Sequence, residues 1–490
     1  MERILKDLKP ENVFFFFEEI SRIPRNSGDE QAVSDYLVEF AKKRGLKVRR
    51  DAALNVVIDK PASPGYEDRP KVILQGHMDM VCVKNPGVEH DFKKDPIPLV
   101  IDGEFLRANG TSLGADDGNA VALCLAILDN EEAPHPPLQV ILTTMEEIGC
   151  KGAQALDASM MDGDYLIGLD YSQDTNILVS CAGSTTHFFR VRGEKEAVEE
   201  QSDKRALLLK IGGLTSGHSG IEIIKGRANA NRLLGELVSA LDPNGTARFA
   251  AISGGDKKNV IPFWAEASVV LSKKEAEAAL KAFESLSEEV KREYQETDPL
   301  MTLSLCETKL PEFAWSQKTT QTVLALLDLI PNGLQNYLDA ERTLTKCSGN
   351  LGIVQETEEG IELISMVRSN SEYEHDQIIR RMSRAAALTG TEYHNEGRTP
   401  AWEYDKESGF PAQIQDIWEK ERGSRPPLNI IHAEVETGLF VGKVKAQKRK
   451  LEAVNLGIRN YDVHTPRERL EIASLGRAYT LLLKVLEEIH

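Results

Sequence analysis

The 490-residue sequence is poor in cysteine, and its six thiols, Cys82, Cys124, Cys150, Cys181, Cys306 and Cys347, include no CxxC pair. That spacing excludes a thiolate zinc ribbon and gives no sign of a disulfide framework. Most of the six sit among apolar neighbours, where free thiols act as small hydrophobes, so the chain reads as a reduced, cytoplasmic protein. There is also no long hydrophobic run. The four phenylalanines of NVFFFFEEI are followed at once by Glu18 and Glu19 and by no small-residue cleavage site, so the start reads as neither a signal peptide nor a membrane span. Positive charge is in deficit: 59 Lys and Arg against 77 Asp and Glu leave a formal net charge of −18, which argues against nucleic acid or an anionic membrane as partner. No low-complexity tract appears. What remains is a globular, enzyme-sized chain, long enough for two or three domains.

Along the chain, the first third alternates helix and strand. Ser27 and Glu30 fit a capping box ahead of Ala32, Val33, Tyr36, Leu37, Phe40 and Ala41 at helical spacing, with Gly45 closing the segment. Short apolar runs follow at LNVVID, KVILQGHMD, LQVILTTM and DYLIGLD, and GNAVALCLAILDN between them reads as a buried helix. After about residue 185 the pattern shifts to amphipathic helices and hairpin-like strand pairs, such as LGIVQET and IELISMVR joined at Glu-Glu-Gly, in what reads as an αβ-sandwich with a partial second round. Strand-then-helix order resumes near 397. There Thr465, Pro466 and Glu468 fit the N-cap, first turn and capping-box partner of the last helix. The expectation is an α/β fold whose catalytic domain, a central mixed sheet flanked by helices, is split into residues 1–185 and 397–490 by an inserted αβ-sandwich domain over 186–396.

Five places put acids or imidazoles at a strand end or beside a helix start: His77 and Asp79 in GHMDM, Asp116 and Asp117 in LGADDGNA, Glu146 and Glu147 in TTMEEIG, Asp170 in IGLD, and His464 in YDVHTP. Within the GHMDM strand, His77 and Asp79 are expected to point to one side and Met78 and Met80 to the other. Each feature has a bland reading alone: a structural His-Asp pair, a helix N-cap, a solvated corner. Together they are harder to dismiss, because open α/β sheets gather ligands at the carboxyl ends of their strands. Unpaired acids bordering buried strands would cost several kcal/mol each, on the order of the desolvation of buried ions, and a pair of divalent cations removes that cost. An imidazole and carboxylate set without cysteine suits zinc, cobalt or manganese. In the Glu-Glu doublet one side chain can bind metal while the other stays free as a base.

In their order, GHMDMV, TSLGADDGNAVA, TTMEEIG, GLD and the late YDVHTP resemble the cocatalytic dizinc peptidases, a family that includes peptidase T, the carnosinases and the aminoacylases. IPRNSGDE, DFKKDPI, GGLTSGHSG, MVRSNSE and the GLF segment after Glu436 extend the resemblance over nearly the whole chain. The resemblance implies that His77, Asp116 and Asp170 hold one metal, that Asp116 bridges to a second, and that Glu147 and His464 complete it. It implies that Asp79 orients the His77 imidazole and that Glu146 is the general base. It also implies a cis peptide at Asp116-Asp117 and a lid made by the inserted domain. In that lid, His218 would stabilise the oxyanion, while Asn259 and Arg368 would bind substrate, with Arg368 suited to a terminal carboxylate. Gly438 would let backbone approach the ligand. A dipeptide substrate, two zinc ions (cobalt or manganese as substitutes) and a homodimer through the lid follow from the same resemblance.

Three competing functions use overlapping features. An N-acyl amino-acid amidohydrolase would share the metal site. A metal-dependent phosphoesterase would need a basic cluster, which is missing. A non-catalytic binding protein would have lost the base or a ligand, yet every such position is filled. His90, His135, His187, His375, His394 and His432 have no partner at ligand spacing and read as structural or surface groups.

Overall fold

The computed structural model describes residues 3–199 and 203–490, and the chain divides into two units. The first runs through Cys181 and adds Tyr404–Ile430 and Val435–His490; the second takes Ala182–Glu403 with Ile431–Glu434. Among the described residues no helix is long and apolar enough to cross a membrane.

The first unit is built around the strand Val72–His77, buried along its whole length. It pairs in parallel with Leu138–Thr143 on one side and Tyr165–Gly168 on the other, which explains why these runs are mostly apolar instead of alternating. The full order is Lys47–Arg50, Val56–Lys60, Leu138–Thr143, Val72–His77, Tyr165–Gly168, Glu452–Asn455, Ile177–Ser180 and Leu428–Ile430, a mixed sheet of eight strands. The helix Ala115–Asp129 is buried almost all round. Gly76 lets it approach the sheet, because a Cβ there would collide with Ala120 and Asp117. The phenylalanine run lies in the helix Glu11–Ser21, with Phe14, Phe16 and Phe17 in the core.

Three local readings are corrected. The strand expected to carry both His77 and Asp79 ends at His77, and Asp79 lies just beyond it; Met78 and Met80 are nonetheless buried. Ser27 and Glu30 do not form a capping box. The helix is Gln31–Lys43 with no side-chain cap, and both residues serve other segments. The last helix begins at Ile472. The segment before it forms a hairpin, Asn460–Tyr461 against Arg469–Glu471, within a four-stranded sheet with Leu99–Asp102 and Phe105–Ala108. Glu468 is thus no capping partner.

The second unit holds a nine-stranded antiparallel sheet, in which Gly333–Tyr337 pairs off the main path with Thr345–Thr357, and a two-stranded sheet of Lys195–Ala197 and Phe313–Trp315, around its own core. Thr302–Thr308, Lys204–Gly212, Ala265–Ser272 and Arg248–Gly254 are followed in the sheet by Thr345–Thr357, Gly360–Ser369, Gly183–Arg192 and Glu392–Glu396. The two halves mirror each other. Each has a central hairpin, and the helices Ala230–Leu241 and Lys273–Glu293 of one correspond to Gln317–Leu329 and Glu372–Thr389 of the other. The halves join where Gly254 pairs with Val354. A capping box at Ser272 and Glu275 starts the longest of these helices.

Candidate metal centre

Parallel pairing brings the carboxyl ends of three neighbouring strands to one edge of the first unit's sheet, and the acids and imidazoles sit on those ends. His77 closes its strand, Glu146 and Glu147 follow Leu138–Thr143, and Asp170 follows Tyr165–Gly168. Asp116 enters from the start of the helix Ala115–Asp129, where Asp116 and Asp117 depart from helical φ and ψ and the peptide between them is cis. His464 arrives from the hairpin tip. Two of these turns use left-handed residues other than glycine: Met145 (φ 52°), just before the Glu doublet, and His464 itself (φ 62°).

The carboxylate of Asp116 stands between two imidazoles. His77 Nε2 lies 3.1 Å from its Oδ1 and His464 Nε2 lies 3.2 Å from its Oδ2. His464 Nε2 is also 2.9 Å from Glu147 Oε1. Potential ligand atoms of His77, Asp116 and Asp170 lie within 4.8 Å of one another, as do those of Asp116, Glu147 and His464. Asp116 belongs to both sets. A third set, His77, Glu146 and Glu147, overlaps them.

Behind these groups, Asp79 is buried and fully engaged. Its Oδ1 lies 3.3 Å from His77 Nδ1 and accepts from the Glu146 N–H at 3.1 Å. Its Oδ2 accepts from Ser27 Oγ at 2.7 Å and from the Glu147 N–H at 3.3 Å. One carboxylate therefore sits beside the imidazole and holds the backbone of the Glu doublet.

The electrostatics bear on what this donor set can hold. Burial and the neighbouring Asp170 push the Asp117 carboxyl well above its ordinary range, and burial and Asp116 do the same to Asp170. Glu146 is pushed up to about 8, first by burial. Burial would raise Asp116 too, but its hydrogen bonds with His464 and His77 outweigh it and hold this carboxyl below the usual range. Burial likewise works against a charged His77, yet its contacts with Asp116 and Asp79 lift it well above its usual value. His464 rises to about 10, chiefly through Asp116 and then Glu147. A crowd of carboxylates thus recruits protons wherever it can. A donor set of nitrogen and oxygen atoms with this excess of negative charge fits divalent cations.

Sequence reasoning missed several residues here. Glu436, buried at the first position of the helix Glu436–Ala446, accepts from Gln75 Nε2 at 2.7 Å and Thr143 Oγ1 at 2.5 Å, and burial pushes it up to about 8. Glu30 accepts from the Met145 N–H at 3.0 Å. Arg25 and Glu468 hold backbone around Asp116. Their partners are main-chain atoms and distant side chains, which leave no spacing signature.

The other sequence-derived positions are distributed over both units. Gly438 lies buried in the first turn of Glu436–Ala446, its N–H bonded to Val435 O at 3.0 Å. His218, Asn259 and Arg368 come together in the second unit. His218 Nδ1 accepts from the Gly220 and Ile221 N–H groups, each at 3.2 Å, which leaves the ring proton on Nε2. Burial and then Arg368 push this imidazole down to about 4. The Ser219 N–H donates to Asn259 O at 3.0 Å, and the Asn259 side chain is exposed. Arg368 is buried and lies 3.2 Å from Glu434 Oε2; its side chain and the His218 ring both come close to where a Cβ on Gly220 would lie. Of the histidines read as structural, His432 bonds Ser348 and Asn370, His375 bonds Thr185, and His187 bonds Tyr393.

Residues 209–298 match the peptidase dimerisation domain family of the M20 peptidases. The chain is 33% identical to the cytosol non-specific dipeptidase of Escherichia coli over 99% of both chains. Its fold is similar to that of the aminoacylhistidine dipeptidase of Vibrio alginolyticus, with a TM-score of 0.89 and 31% identity over 99% of this chain and 98% of that one. The aminopeptidase PepT of Bacillus cereus shares the fold at a TM-score of 0.56 and 15% identity, covering 98% and 99%.

Proposed function

Because the chain belongs to the M20 metallopeptidases, we propose that it hydrolyses unblocked dipeptides, those with carboxy-terminal histidine among them, at a pair of divalent metal ions. The observation that carries this reading is the carboxylate of Asp116, whose two oxygens face His77 and His464 and which belongs to two ligand sets. His77, Asp116 and Asp170 would hold one ion, and Asp116, Glu147 and His464 the other. Nitrogen and oxygen donors without sulfur favour zinc, with cobalt or manganese able to replace it. When bound, such a pair lowers the pKa of a water and polarises the scissile carbonyl.

The chain's own groups do the rest. Glu146 takes the proton of the attacking water on its carboxylate and passes it to the leaving amine. Asp79 fixes the His77 ring and the Glu146 backbone together. In the second unit, the Nε2–H of His218 would serve an oxyanion, Arg368 the dipeptide's carboxylate and Asn259 its backbone, while Gly438 in the first unit would meet the ligand through main chain.

A cytoplasmic location accords with the name of the Escherichia coli relative, and the dimerisation-domain match supports a homodimer through the second unit. The mirrored sheet sharpens that reading. Arg248–Gly254, which would be an edge of the first half alone, already meets Thr345–Thr357 inside this chain where Gly254 pairs with Val354, so a dimer made by strand pairing would use Thr302–Thr308 or Glu392–Glu396 at the ends of the sheet, or the short strand Gly333–Tyr337.

The test is side-by-side kinetics on Ala-His, β-Ala-His and N-acetyl amino acids with metal-reconstituted protein. Turnover of the dipeptides with little cleavage of the N-acetyl compounds supports the reading. The reverse preference makes the protein an N-acyl amino-acid amidohydrolase.

A further inference from the structure

Two buried residues that touch none of the proposed ligand side chains hold the main chain from which those side chains spring. Glu468 accepts four consecutive backbone N–H groups: Leu113 and Gly114 on Oε2 at 2.8 and 2.9 Å, and Ala115 and Asp116 on Oε1 at 2.8 and 3.3 Å. These donors lead into the helix Ala115–Asp129, where a helix start leaves its N–H groups without internal partners. From the other side, Arg25 donates through Nη2 to Gly114 O at 2.5 Å and through Nη1 to Met78 O and Asp79 O, each at 3.2 Å. Gly114 is thus gripped at its N–H by an acid and at its carbonyl by a guanidinium. Its φ of 69° and the absence of a side chain are both required, since a Cβ there would strike Arg25 and Met80.

The connectivity gives this arrangement its meaning. Glu468 lies in the same hairpin as His464, so the segment carrying the last ligand is tied to the segment carrying the shared one. Arg25 ties that shared segment to the end of the His77 strand. A displacement of any of the three would pull on the other two.

We propose that Arg25 and Glu468 are positioning residues for the metal pair, a clamp that sets the separation of His77, Asp116 and His464 before any metal arrives. The alternative is that they stabilise the fold and nothing more. The proposal rests on the two-metal reading, and its test separates the two failures.

The experiment compares full-length wild type with Glu468→Gln and Arg25→Lys. It reads metal affinity by competition with a chromophoric chelator, the cobalt absorption spectrum, and kcat and KM separately. A glutamine at 468 keeps the size but turns an amide NH2 toward backbone donors; a lysine at 25 keeps the charge but loses the fork. Each is expected to lower the affinity for at least one metal by about 10- to 100-fold, as for other groups that support ligands from behind. Each should also alter the cobalt spectrum and depress kcat more than KM, with partial recovery in excess metal. Wild-type affinity and spectrum in folded variants of lower thermal stability would overturn the clamp and leave the metal pair standing. Failure of wild type to bind two metals would overturn the reading beneath it. Hydrogen exchange on the wild-type chain gives a readout without substitution: the amides of Leu113 to Asp116 are expected to be protected in both metal-stripped and loaded protein, and fast exchange there before loading would also overturn the clamp.

Discussion

His464 reaches Asp116 at 3.2 Å across most of the length of the sequence, and it meets the carboxylate oxygen that His77 does not. A carboxylate shared in this way should be needed for both metals, whereas either histidine should be needed for one. Asp116→Asn is therefore expected to lose tight binding of both ions, and His464→Ala to keep one equivalent. Metal analysis after gel filtration checks this; an Asp116→Asn variant that keeps one tight equivalent would place the bridge elsewhere.

Glu146 is set apart from the ligands by its role. Glu146→Gln should retain two metals and a near-native KM while kcat falls by about 10²- to 10⁴-fold, the range for loss of a general base. Steady-state kinetics at fixed metal loading measure it, and a loss confined to KM would reassign the residue to substrate binding.

Metal uptake should be proton-linked. His464 holds its proton up to about pH 10 in the metal-free site, against an ordinary value of 6.5, because Asp116 and Glu147 accept from it. A metal must displace that proton, so affinity should rise with pH between about 6.5 and 10, with proton release visible as a buffer-dependent heat in calorimetry. The same raised value gives the metal-free fold a stabilising contribution that is full below 6.5 and lost as pH rises through about 10. An affinity flat across this window would contradict the pairing of His464 with those two acids.

The outer edges of the second unit's sheet make the homodimer testable. Light scattering should give twice the 54.4 kDa chain mass. Either Cys306→Arg on the Thr302–Thr308 edge or Asn395→Arg on the Glu392–Glu396 edge is expected to reduce it to a monomer, since charge on an edge strand blocks pairing. A dimer untouched by both would have to form through another surface.

How far the sequence discloses this site depends on where each residue's partner lies. His77, Asp116, Glu146, Glu147 and Asp170 stand at strand ends or a helix start, positions that an α/β pattern marks in advance, whereas His464 lies at the tip of a hairpin where the sequence suggested a helix start. The Ser27 and Glu30 pair shows the opposite case. Their spacing matches a capping box, yet Glu30 binds the Met145 N–H and Ser27 binds Asp79, because buried donors and acceptors of the site compete successfully with the local cap. Glu468 repeats the lesson: read as a partner within its own helix, it serves four amides at the far side of the chain's numbering. Local spacing cannot register a demand set by distant backbone. The mirrored halves of the second unit were only partly legible, since Gly183–Arg192 of the second half precedes the whole first half in sequence.

The most direct test of the two-metal account is a metal titration of Ala-His hydrolysis by the stripped full-length chain, with bound metal counted at each point. Activity should appear in step with the second equivalent and saturate at two. Full activity with fewer than two equivalents bound would contradict it.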